Sequence, residues 1–121
     1  MSEFNGTNGE VFDYYPRLNR LREYVEQSYS EPIPLKKAAG IAALESSYFS
    51  TYFRAKVGIT FTDWLRQVRI RKAMKLMKAS DFSITEVAFE VGFGDLRTFE
   101  RAFKQYTRRT PREFKKSVAA E

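Results

Sequence analysis

The chain repeats itself. Leu35, Ala38, Ala39, Ala42, Ala43 and Leu44 match Ile84, Val87, Ala88, Val91, Gly92 and Phe93 at a shift of 49 residues. Phe49, Phe53, Thr60 and Trp64 match Phe99, Phe103, Thr110 and Phe114 at a shift of 50, so the second copy carries one extra residue between its two halves. Each copy reads as a short stretch with small residues where another helix must cross closely, then a tight turn, then a longer stretch with one apolar side. That order is the helix-turn-helix pattern, and two copies of one such unit confine the chain to a helical architecture.

Hydrophobic spacing outside and between the copies is helical too. Leu18, Leu21, Val25 and Tyr29 recur at three- and four-residue steps and predict a helix over about 17–29, ended by "SEPIP". Pro34 suits the first turn of the next helix, about 35–42, with Leu35, Ala38, Ala39 and Ala42 as its apolar stripe. Tyr48, Phe49, Tyr52, Phe53 and Val57 predict a helix over 46–57 closed by Gly58. Thr60 or Thr62 caps a long helix over 61–79, with Trp64, Leu65, Val68, Ala73, Leu76 and Met77 inward and Lys and Arg on its outer face. Ser83 and Glu86 form a capping box, Gly92 stops that helix, and Asp95 caps the next, about 95–106. A final helix starts at Thr110 with Pro111 in its first position. The expectation is an all-α fold of about seven helices, two helix-turn-helix units joined by a long linker helix. Residues 1–15, rich in Gly and Asn, are expected to be open: a flexible N-terminal segment or linker remnant. The domain proper spans 16–119, with the first unit over about 33–58, the linker helix 61–79, the second unit 83–106 and the last helix 110–118.

Composition narrows the chemistry. The chain has no Cys and no His, which removes thiol nucleophiles, imidazole bases and the usual zinc and haem ligands. No catalytic residue, metal site or cofactor is expected. Glu86, Glu90 and Asp95 lack an adjacent nucleophile or metal partner and read as helix caps. Met74 and Met77 read as core, and so does Trp64, which matches Phe114 in the repeat. No apolar run reaches the length of a membrane span, and "MSEFNGTNGE" lacks the layout of a signal peptide. A cytoplasmic, nucleoid-associated location follows as an expectation.

The charge is unevenly spread. Residues 1–31 carry three Arg against six Asp or Glu, whereas residues 32–121 carry 18 basic against nine acidic residues. A basic domain of pI near 9.7 favours a nucleic acid as partner over an acidic membrane surface. In a helix-turn-helix unit the N-terminal half of the second helix enters the major groove. In "FGDLRTFERAFKQY", Phe99, Phe103 and Tyr106 fall on one helical stripe and Arg97 and Arg101 on another, so the rings pack and the arginines project. Arg pairs bidentately with guanine, and Ser or Thr takes a base edge or a phosphate. The candidate reading positions near the start of the second helix are Ser46, Ser47, Ser50 and Thr51, with Arg54 farther along, in the first copy and Leu96, Arg97, Thr98, Glu100 and Arg101 in the second. Lys36, Lys37, Lys104, Arg108, Arg109, Arg112, Lys115 and Lys116 are candidates for phosphate contact.

The string "SITEVAFEVGFGDLRTFERAFKQYTRRTPREFKK" resembles the signature of the DNA-binding domain of the AraC/XylS family of bacterial transcription regulators, and the likeness extends over about residues 17–118. The resemblance implies seven helices and two recognition helices set in adjacent major grooves of double-stranded promoter DNA. It places base reading on Ser47, Ser50 and Thr51 in the first unit and on Arg97, Thr98 and Arg101 in the second. Ser46, Arg54, Lys36, Lys37, Lys104 and Arg112 are left as phosphate contacts. Two positions depart from the family: Arg108 and Ala43 stand where it often has Gly. The chain does not include the sensor or dimerisation domain that many members attach, and both a short complete regulator and a domain from a longer protein remain open, the second slightly favoured. The domain itself is expected to be monomeric. The alternative reading, from another class, is a helical module that docks its basic face on RNA polymerase or another acidic partner.

Overall fold

The computed structural model describes residues 9–120. Among these, eight helices and no strand are found: α1 (Glu10–Tyr14), α2 (Pro16–Ser28), α3 (Leu35–Ile41), α4 (Ser46–Val57), α5 (Phe61–Ala79), α6 (Ile84–Glu90), α7 (Leu96–Thr107) and α8 (Pro111–Ala119). They divide into two compact units, 9–65 and 66–120, and the division falls inside α5.

In the unit 9–65, α3 packs on α4 and α2 on α3. Its core is aromatic: Phe53 lies 5.7 Å from Phe49, 5.6 Å from Phe61 and 5.7 Å from Trp64, centroid to centroid. In the unit 66–120, α7 packs on α6 and α8. Here Phe103 lies 5.6 Å from Phe99 and 5.6 Å from Phe114. The sequence repeat is therefore a repeat of packing, because Phe49, Phe53 and Trp64 build in one unit what Phe99, Phe103 and Phe114 build in the other. Tilted and edge-on ring pairs at these separations are the favoured aromatic geometries.

The two turns also share their hydrogen bonds. Leu44 N–H donates to the Ala39 carbonyl at 2.9 Å, and Phe93 N–H to that of Ala88 at 3.0 Å. Ala43 and Gly92, preceding them, both take positive φ, 58° and 105°. The turn residues 42–45 are one fewer than 91–95, as the change of shift requires. At the ends of α4 and α7 the same correspondence recurs: Gly58 (φ 99°) donates to the Arg54 carbonyl and Arg108 (φ 68°) to that of Lys104. Only glycine enters this left-handed region at no steric cost, so the exposed Ala43 and Arg108 are held there against a cost by the backbone hydrogen bonds that close their turns.

The caps follow the sequence closely. Ser83 with Glu86 and Thr110 with Glu113 form reciprocal capping boxes. Thr60 rather than Thr62 accepts the Asp63 N–H, at 3.1 Å. Pro34 stands one place earlier than expected, at the N-cap of α3, with extended backbone.

Three expectations need correction. Helix α1 lies within residues 1–15, expected to be open, and residues 1–8 lie outside the described region. Phe12 is the cause: its ring is buried, stacked 4.9 Å from Trp64 and edge-on to Phe53 at 6.1 Å. One Phe in five helical residues is too little for periodicity to register. Leu35 and Tyr48, assigned to apolar stripes, are 41% and 58% exposed. Leu76 is only half-buried, whereas Ile70, not assigned inward, is fully buried. Trp64, Met74 and Met77 lie in the core.

Candidate nucleic-acid interface

Helix α7 displays its polar side in one strip. Asp95 caps it, accepting the Thr98 N–H at 2.7 Å on Oδ1 and the Thr98 hydroxyl at 3.0 Å on Oδ2. These bonds, first the amide and then the hydroxyl, with lesser help from Arg101, hold the Asp95 carboxyl below its usual range. Beneath, Phe99, Ala102 and Phe103 are buried, while Arg97, Glu100, Arg101 and Lys104 are exposed. Arg97, Arg101 and Lys104 follow one another at four and three residues, so a single turn separates each pair on the outward side. Thr98 is half-buried and its hydroxyl proton is engaged by Asp95, which makes it a positioning group at the helix start.

Helix α4 presents hydroxyls where α7 presents guanidinium groups. Ser46, Ser47, Ser50, Thr51 and Arg54 are all exposed. Ser47 donates its hydroxyl to Glu45 Oε1 at 3.0 Å. Ser50, Thr51 and Arg54 line an open cleft of about 630 Å³ completed by Leu35, Ala55, Thr60, Phe61 and Thr62. The exposure of Leu35 is thus part of the cleft wall. Tyr48, exposed on the same helix, is the shift-50 counterpart of Thr98, a correspondence that the sequence contained but that its place in an apolar run obscured.

The remaining candidates are spread over both units. Lys36 is exposed on α3 and Arg112 on α8. Lys37 holds its ammonium 5.4 Å from the centre of the Tyr24 ring, and a hydrogen bond to the Tyr24 side chain raises its pKa. Its cation is thereby directed toward α2.

Two residues of α2 were not anticipated. Arg17 donates from Nη1 to the carbonyls of Ala42 (2.8 Å) and Ala43 (2.9 Å), and Arg20 from Nε to that of Ile41 (2.9 Å). Together they satisfy the free carbonyls at the end of α3 and clamp the turn that aims α4. The motif spacing carried no signal for them, because the acceptors are main-chain atoms more than twenty residues away.

A family model described as a helix-turn-helix domain matches residues 38–117, about two thirds of the chain. The chain belongs to the AraC-type helix-turn-helix family. It is similar to the C-terminal domain of the two-component response regulator yesN from Fusobacterium nucleatum, at 32% identity and a TM-score of 0.71, covering 78% of this chain and 93% of that one. The DNA-binding domain of AdpA, a global transcriptional factor solved in complex with a target DNA, shares the fold at a TM-score of 0.77 and 24% identity, over 87% of this chain and 94% of that one. The Msm operon regulatory protein of Streptococcus mutans is 27% identical over 101 residues, 84% of this chain and 36% of the relative. The chain spans about a third or less of the length of such curated relatives. As an AraC-type domain it is a DNA-binding module of a transcription regulator. Among the described residues no helix is long and apolar enough to cross a membrane.

Proposed function

We propose that this AraC-type domain binds double-stranded promoter DNA sequence-specifically by inserting α4 and α7 into adjacent major grooves. The observation that carries the reading is the exposed strip Arg97–Arg101–Lys104, one turn apart at each step and mounted on the buried rings of Phe99 and Phe103. A guanidinium fixed at its base and free at its tip is suited to the O6 and N7 acceptors of guanine. Ser47, Ser50 and Thr51 on α4, and Arg97, Thr98 and Arg101 on α7, are the base-reading set. Ser46, Arg54, Lys36, Lys37, Lys104 and Arg112 are the phosphate-contacting set, with Lys37 contributing only after leaving Tyr24. The domain acts as a monomer in the cytoplasm, associated with the nucleoid, and the reading assigns it no catalysis, cofactor or metal.

The test is a salt titration of the 121-residue chain with random duplex, paired with selection of bound sites from a random-duplex library. If six to ten of the cations contact phosphates, log K against log[salt] has a slope of roughly −5 to −9. A slope shallower than about −2, with no enriched sequence, would instead favour a module that docks on RNA polymerase or another acidic partner.

A further inference from the structure

Glu100 is an acidic side chain on an otherwise basic strip. It is exposed, one turn from both Arg97 and Lys104 and adjacent to Arg101, and among the described residues no hydrogen bond or ion pair holds it. Two other acids of this unit are occupied differently: Asp95 caps α7 and the Glu113 carboxylate closes the Thr110 box. Its counterpart at the shift of 50 is the neutral Ser50.

We infer that Glu100 is a specificity-determining residue of α7 that accepts a hydrogen bond from the exocyclic amino group of a base, N4 of cytosine or N6 of adenine, next to the base pair read by Arg97 or Arg101. The inference rests on the DNA reading proposed above. A carboxylate only accepts, and it is repelled by phosphates and by the O6, N7 and O4 acceptors of guanine and thymine. In the major groove the two amino groups are the donors available to it. Placed on the outward strip, Glu100 therefore opposes binding to sequences lacking an amino group at that point and offsets the sequence-independent attraction of the neighbouring cations for the DNA backbone. The arginines favour guanine, and the glutamate disfavours a neighbouring base pair that lacks an amino group at that point.

The full chain is first used to select a site from a random-duplex library. Wild type, Glu100→Gln and Glu100→Ala are then titrated at one salt concentration against that site, its single-base variants and random duplex. The expected result is tighter binding of random duplex by both variants, about threefold or more, with discrimination at one base pair reduced about tenfold or more. The variant panel tells cytosine from adenine at that pair. Unchanged preferences at every position, with or without a uniform gain in affinity, would overturn the role of Glu100 and leave the DNA reading standing. Failure of the wild type to select any duplex would overturn the DNA reading and this inference with it.

Discussion

Arg17 on α2 donates a hydrogen bond to the carbonyl oxygen of Ala43, a residue held in left-handed backbone in the turn between α3 and α4. The same guanidinium nitrogen reaches Ala42, and Arg20 reaches Ile41. Arg17→Ala should cost about 1 kcal/mol of stability, the scale of hydrogen bonds from a charged donor to partly solvated carbonyls. Because the clamp sets the turn before α4, the variant should also lose affinity for a selected DNA site while retaining most of its affinity for random duplex. Urea unfolding and fluorescence anisotropy measure the two effects; equal stability to wild type would mean that water satisfies those carbonyls as well as Arg17 does.

Ala43 and Arg108 occupy the backbone region that their counterparts Gly92 and Gly58 enter freely. The left-handed conformation costs a non-glycine residue about 1–2 kcal/mol, and glycine forfeits roughly half of that in unfolded-state entropy. Ala43→Gly and Arg108→Gly should each stabilise the protein by about 0.5–1 kcal/mol, additively, since they lie in different turns. Thermal unfolding midpoints several degrees above wild type would bear this out, and lower midpoints would refute it. Arg108→Gly should in addition make the salt dependence of duplex binding shallower if its exposed guanidinium meets a phosphate.

Acid should loosen the second unit through its caps. The Ser83 backbone N–H and hydroxyl hold the Glu86 carboxyl below its usual range, those of Thr110 do so for Glu113, and Thr98 does so for Asp95. A carboxyl with a depressed folded pKa binds its proton more readily in the unfolded chain, so its contribution is complete above the unfolded value, near 4.5 for Glu and 3.8 for Asp, and is lost as pH falls through the folded value. Stability should therefore be flat near neutrality and decline below about pH 4.5. In the combined variant Glu86→Gln, Asp95→Asn, Glu113→Gln, the decline attributable to these groups should be absent; an acid transition as steep as that of wild type would assign it to other carboxylates.

Arg97 and Lys104 occupy the same strip with different expected duties. Arg97→Ala should cost about 1–3 kcal/mol on a selected site and relax preference at one base pair. Lys104→Ala should weaken all sequences about equally and reduce the salt slope by about one. Binding to single-base variants separates the two patterns. Equal losses for Arg97→Ala on selected and random duplex would make it a positioning contact.

Much of the fold was legible in the sequence because its determinants are local. The recurrence of Phe49 and Phe53 as Phe99 and Phe103, the Ser83 and Thr110 boxes, and the proline at the start of α8 depend on residues within a turn or two of one another, where spacing alone decides which groups meet. The same locality placed Arg97 and Arg101 outside and Phe99 and Phe103 inside, while Tyr106, on the same stripe, is only half-buried.

What tertiary structure decided lies wherever a partner comes from far along the chain. Phe12 becomes core, and draws a helix around it, only because Trp64 and Phe53 are brought to its ring. Leu35 and Tyr48 fit an apolar stripe by spacing, yet no neighbouring helix covers them fully. Arg17 and Arg20 find acceptors that exist only once α3 ends beside α2. A period specifies which face of a helix can be buried; whether another element arrives to bury it is settled by packing between segments that the sequence does not place next to each other.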